Sequence, residues 1–188
     1  MPITYFGINV NGGGANTATR GGLTDGTSPV ICPGSGAQNV YELAGFFKSG
    51  AVGTMSNVRL AIYTTANAFV MQGAAVLNTS SLSYVWLTHT SFVDVGGNPI
   101  LNPQLTGGTA YLLCVTTSTN NQTANMAYEG VFPYGMYQSG DYTVTGFPAT
   151  LNLTNPALLK DFDMRCGVTP VGVLSRIPSI DSIPNIGR

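Results

Sequence analysis

The segment Phe162-Asp163-Met164-Arg165-Cys166-Gly167-Val168 alternates apolar and polar side chains. A period of two places Phe162, Met164, Cys166 and Val168 on one face. Asp161, Asp163 and Arg165 fall on the other, which is the pattern of a half-buried strand rather than of a helix. Asn57 to Tyr63 repeats it, with Val58, Leu60 and Ile62 sharing a face. Val40 to Phe47, Tyr84 to Val93 and Thr109 to Thr117, rich in aromatic and β-branched residues, read as three more strands. Thr4 to Val10, Phe69 to Leu77, Asn125 to Glu129 and Tyr142 to Thr145 are weaker strand candidates. Turn signals separate them: Gly12-Gly13-Gly14, Gly21-Gly22, Pro33-Gly34, Gly96-Gly97-Asn98-Pro99 and Gly107-Gly108. Ala66 to Ala75 and Pro156 to Lys160 alone tolerate a helix, and both are short. About eight or nine short strands with such punctuation predict an all-β, antiparallel sandwich or jelly roll.

The sandwich is expected over residues 38–169. Residues 1–37, rich in glycine, would supply its first strand or strands, and residues 170–188 would form an extended arm. At 188 residues the chain is long enough to bury a hydrophobic core without metal or disulfides. Only 8% of its residues are charged, and the net charge is −1. A nucleic-acid binder needs a basic stripe, which this balance does not supply. An apolar fraction of 44% equally argues against a disordered chain. The three cysteines, Cys32, Cys114 and Cys166, are widely spaced and sit among apolar neighbours. They read as small buried hydrophobes rather than a disulfide framework.

The start of the chain carries no secretory signal pattern, and no apolar run is long enough to span a membrane. A neutral, Thr- and Asn-rich surface made without export fits a protein synthesised in a host cytoplasm and exposed on a released virion. Sequons at Asn78, Asn121 and Asn152 would then stay unused.

The arm has its own period. Isoleucine recurs at every third position, Ile177, Ile180, Ile183 and Ile186, and Pro178 and Pro184 interrupt any other regular structure. Three residues per turn is the period of a polyproline II rod, here roughly 28 Å long with the isoleucines along one side. One extended segment cannot bury that stripe on itself. These six residues are therefore the expected partner-binding arm, docking on the domain or on a neighbour.

Catalytic and metal chemistry find little to work with. His89 is the one histidine, and a lone histidine in a strand is more often packed than reactive. The chain has no Gly-x-Ser-x-Gly elbow, no zinc-ligand spacing and no phosphate loop after Gly12-Gly13-Gly14. Asp161-x-Asp163 offers two carboxylates without a third acid nearby. We expect no enzymatic activity, no metal and no cofactor. The segment from Val131 to Tyr142 instead concentrates Phe132, Tyr134, Tyr137 and Tyr142 beside Asp141. Read as a loop, it has three uses: sugar stacking with Asp141 or Gln138 accepting hydroxyl hydrogen bonds, subunit contact, or a satellite core.

Asn57-Val58-Arg59-Leu60-Ala61-Ile62-Tyr63, followed by Leu105-Thr106-Gly107-Gly108-Thr109-Ala110-Tyr111-Leu112-Leu113-Cys114-Val115, resembles a recurring pair of strands. The pair is similar to that of jelly-roll modules in phage virion appendage and decoration proteins and in bacterial surface proteins. The likeness covers roughly residues 38–168. It departs at Gly108, where the pattern has a less flexible turn, and at Leu112, where the pattern has a tryptophan suspected of ligand contact. The resemblance implies a jelly-roll fold and a virion structural protein, either a capsid decoration (cement) protein or a small tail or neck appendage. Its expected partners are the major capsid or tail protein and further copies of itself, as a trimer. Nucleic acid and membrane are not expected partners. The alternative is a carbohydrate-binding module that holds a glycan on the aromatic segment.

Overall fold

The computed structural model describes residues 2–8, 10–13, 16–20, 23–50, 52, 55–118, 124–153 and 155–172. Of 16–20, 23, 129–139 and 155–161 it describes the backbone alone. These residues form an all-β, antiparallel sandwich without helix. Its strands are β1 (Thr4–Ile8), β2 (Asn16–Arg20), β3 (Leu23–Gly26), β4 (Val30–Ile31), β5 (Gly36–Ser49), β6 (Ser56–Thr64), β7 (Phe69–Gly73) and β8 (Leu77–Thr79). They continue with β9 (Val85–His89), β10 (Phe92–Val93), β11 (Pro99–Ile100), β12 (Gln104–Gly107), β13 (Ala110–Thr117), β14 (Ala124–Ser139), β15 (Asn155–Phe162) and β16 (Met164–Pro170).

One sheet runs β1–β16–β5, with β9 and β12 sharing the far side of β5. The other centres on β13 and β6, flanked by β3 and β4 on one side and by β7 and β8 on the other, with β10 and β11 beyond β7. Strand β14 joins the two sheets, pairing with β5 at its start and with β3 at its end. Register shifts between Gly130 and Gly135 and between Gly135 and Tyr137 interrupt its pairing with β15, which continues to Tyr137 opposite Asn155. Such irregularities are how a strand changes sheets.

The inner faces build one core. Val58, Leu60 and Ile62 on β6 and Leu113 and Val115 on β13 meet Leu43 and Phe47 on β5 and Met164, Cys166 and Val168 on β16. The alternation over Phe162 to Val168 is thus reproduced on its apolar side. On its polar side Arg165 faces outward against Tyr5 and Trp86, but Asp163 does not. The chain breaks pairing at Asp163, whose carboxyl is buried, and the segment becomes the end of β15 and the start of β16. Asp163 donates its N–H to the Ala127 carbonyl and accepts from the Phe46 N–H, each at 3.0 Å, so its backbone stitches β14 to β5. The expected strand over Tyr84 to Val93 divides likewise into β9 and β10, one in each sheet. Tyr142 to Thr145 is not a strand but a turn, and both helix-tolerant stretches lie largely in strands, β7 and β15.

A second, smaller core lies on the outer face of the β13–β6 sheet. Ala61, Tyr63, Leu112 and Cys114 point outward there, beneath Phe147, Leu151 and Leu153. The segment from Tyr142 to Leu153 crosses that face as a strap. Tyr63 Oη donates to the Pro148 carbonyl (2.5 Å), the Phe147 N–H donates to Gln72 Oε1 (2.8 Å), and the Phe69 N–H donates to the Ala149 carbonyl (2.9 Å). Strands β6 and β13 are therefore buried on both faces. That explains why their sequences are apolar beyond simple alternation.

Candidate functional site

A groove of about 580 Å³, lined by polar and apolar surface in about equal measure, opens at the junction of β5 with the loop after β11. It begins with a bulge. Gly167 on β16 pairs with Glu42, but the next residue, Val168, pairs with Val40, leaving Tyr41 opposite nothing. The extra residue shifts side-chain parity, so Val40 and Leu43 both reach the core while Tyr41 turns outward, 54% exposed. The other wall comes from the β10–β11 hairpin. Asp94 Oδ1 accepts the N–H groups of Gly96 (2.8 Å) and Asn98 (2.9 Å) and so closes its turn. Hydrogen bonds from the Asn98 side chain, then from backbone N–H groups, hold that carboxyl below the ordinary range. The chain returns through Pro99 and Ile100, and the Pro103 carbonyl accepts the Val40 N–H at 2.8 Å. This tie leaves Leu101, 89% exposed, standing over the groove. Phe92, Ile100 and Pro103 complete its apolar lining, with Thr90 and Ser91. None of the lining residues is an acid, a cation or an imidazole. The groove offers apolar contact and hydroxyl groups, not proton transfer.

A smaller depression of about 370 Å³ marks the end of β16, between Ser35–Ala37 and Pro170–Gly172. There the Val171 N–H donates to the Ala37 carbonyl at 3.1 Å. The sequence-expected arm follows this point. Its residues Ile177, Pro178, Ile180, Ile183, Pro184 and Ile186 lie outside the described residues.

The aromatic segment is placed differently from its expectation as a loop. Phe132, Tyr134 and Tyr137 lie within strand β14, and their side chains are outside the described set. Tyr142 is half-buried against the strap, 5.9 Å from the Phe147 ring. Asp141 Oδ1 accepts from both the N–H (2.9 Å) and the hydroxyl (2.5 Å) of Thr143. Both residues thus serve the turn and the small core. Leu112, at the position where the resembling pattern has tryptophan, is fully buried under the strap.

Sequence reasoning missed a ladder of rings and cations on the outer face of the β1–β16–β5–β9 sheet. Lys48 Nζ lies 4.8 Å from the Tyr84 ring centre, and Tyr84 stacks on Phe46 at 5.2 Å. Phe46 meets Trp86 at 5.1 Å, and the Arg165 guanidinium sits 4.3 Å from Trp86 and 4.6 Å from Tyr5. Arg165 is also ion-paired with Glu42 at 3.0 Å. Ala44, opposite Arg165 in register, is fully buried, and its small side chain lets guanidinium and indole meet across β5. These contacts zip four strands together and engage the rings with one another. The alternation of Phe46 with Lys48 and of Tyr84 with Trp86 was the available signal; the pairing of these strands was not readable.

His89 projects from β9 across the core. Its Nε2 accepts the Leu60 N–H of the opposite sheet at 3.4 Å, and its ring covers Gly73, where a Cβ would overlap it. Burial, then the charge of Arg59, pulls its pKa down to about 4, so the imidazole is neutral and structural. Cys32, Cys114 and Cys166 are free and buried, and burial raises each thiol above its ordinary pKa. Among the described residues no three His, Cys, Asp or Glu side chains are grouped to hold a metal ion. No protein-family model matches the chain, and no curated protein matches it.

Proposed function

We propose that the chain is an architectural protein of a phage particle, a capsid decoration protein or a small tail or neck appendage, that holds neighbouring subunits by apolar contact. The observation that carries this reading is the groove at Tyr41 and Leu101: open, edged by these two exposed side chains, and free of ionisable lining other than a phenol. It lies on the same strand, β5, whose Ala37 carbonyl accepts the Val171 N–H a few residues before the isoleucine arm in the sequence. An arm whose isoleucines recur at every third position, and a groove edged by exposed Tyr41 and Leu101, would offer surfaces for subunit contact. The resemblance of the β6 and β13 sequences to phage jelly-roll modules supplies the particle. The carbohydrate reading draws less support. Tyr142 and Asp141 are engaged in the strap and its turn, and the Leu112 position is covered. Mass spectrometry of gradient-purified phage particles that carry this gene tests the proposal. The chain is expected at many copies per particle. Its absence from intact particles, together with glycan-array binding, would overturn the architectural reading in favour of the alternative.

A further inference from the structure

We propose that Asn11 is a self-modification site: the Gly12 backbone nitrogen displaces the Asn11 side-chain amide, leaving a carboxylate on the turn that lies against Trp86. Asn11 is the one asparagine of the chain that a glycine follows. The reaction needs the next residue's nitrogen to reach the side-chain carbon, and a following side chain crowds that approach. Asn11 is exposed, in the turn after β1 and outside every strand. Asn39, Asn57, Asn78 and Asn125, by contrast, lie in β5, β6, β8 and β14, where pairing holds the backbone extended. Asn98, Asn102 and Asn155 precede prolines, whose nitrogen has no proton to give up. The fold also requires the glycine. Gly12 has a φ of +70°, and a Cβ there would stand 3.2 Å from Trp86 Nε1 and 3.4 Å from the Phe46 ring. The position that makes Asn11 labile is therefore one that a side chain cannot fill without strain.

The Gly12 nitrogen loses its proton to base and bonds to Asn11 Cγ. The bond from Cγ to the side-chain nitrogen breaks, ammonia leaves, and a cyclic imide joins the two residues. One water then opens the ring. Attack at the side-chain carbonyl leaves the main chain running through Cβ, an isoaspartyl link; attack at the main-chain carbonyl does the same to neither neighbour and gives aspartate only when the other imide bond breaks. In sum, an amide and a water become a carboxylate and ammonium, with no oxidant or reductant. The turn is anchored on both sides of Asn11: Arg165 Nη1 donates to the Val10 carbonyl at 3.4 Å, and Gly12 lies against Trp86 and Phe46. An isoaspartyl link adds a carbon to the main chain between these anchors and should lift Gly12 from Trp86. The full native chain is incubated in mildly alkaline buffer beside a synthetic peptide of residues 6–14. A mass gain of about 1 Da is expected in both. In the chain it should map to Asn11 within the tryptic peptide 1–20, as two products of equal mass. Trp86 is the one tryptophan, and its emission is expected to shift as the chain converts. Asn11 is exposed, so Asn11→Gln folds, and emission matching that of fresh wild-type chain checks this. Its longer side chain closes a larger ring slowly, so both the mass gain at this position and the emission shift should be lost. A native chain that keeps its mass while the peptide converts overturns the proposal. So does conversion at other asparagines as fast as at Asn11. Emission unchanged after full conversion overturns the placement of the modified turn against Trp86.

Discussion

His89 shows how a residue that looks reactive in a sequence becomes a structural part. Its ring bridges the two sheets through the Leu60 N–H, and that bond needs an unprotonated Nε2. In the unfolded chain the imidazole titrates near 6.5, in the fold near 4. The unfolded state therefore binds the proton first as pH falls. Stability is complete above about pH 6.5, declines down to about pH 4, and stops declining from this cause below it. The expected loss is about 3 kcal/mol, read from urea midpoints between pH 8 and pH 4. His89→Gln should flatten that part of the slope; an unchanged slope would assign the acid sensitivity to carboxylates. The cysteines follow the same logic. With three buried thiols raised above their ordinary pKa, the native protein should react with a thiol reagent hardly at all. All three should react at once in denaturant. Fast native labelling at any of them would contradict their burial.

The strap and the Tyr41 bulge carry the lesson of the elements. Residues 142–153 contain no regular strand, yet Phe147, Leu151 and Leu153 cover a whole sheet face. Leu151→Ala leaves a cavity over Tyr63 and Leu112 and should cost about 2–4 kcal/mol. For a chain of this length that lowers the melting temperature by roughly 5–15 °C. A loss under about 1 kcal/mol would mean that the strap lifts easily from the sheet. The bulge works in the opposite sense. One unpaired residue between Val40 and Glu42 exposes a tyrosine and opens the groove. The alternation of β5, read alone, runs straight through this position.

At the scale of the whole molecule, low charge bears on the subunit contacts proposed above. With a net charge of −1 and a groove without ion pairs, association by apolar burial should resist salt. Raising sodium chloride from about 0.05 to 0.5 M should leave the dissociation constant within about threefold or tighten it. Dissociation by salt would point to ion pairs as the glue. Two sheets joined through β14 and a strapped outer face also imply one cooperative unit. The pairing of β1 with β16, at opposite ends of the described chain, ties the first residues to the last strand.

Alternation alone determined the class of this fold. Val58, Leu60 and Ile62, like Met164, Cys166 and Val168, must hide on one side of a strand whatever they pack against, because neighbouring side chains in a strand point opposite ways. The spacing of Ile177, Ile180, Ile183 and Ile186 predicts a stripe for a polyproline II rod, and that segment lies outside the described residues. Partners are another matter. Whether Phe46 meets Trp86, whether Asp163 is buried, and whether Tyr41 faces solvent depend on register, a bulge and a sheet-changing strand. Those are settled by pairings between residues far apart in the chain. The groove is built from β5 and from the loop after β11, some sixty residues apart. No local pattern carries such a juxtaposition; it exists only once the sheets have closed on their common core.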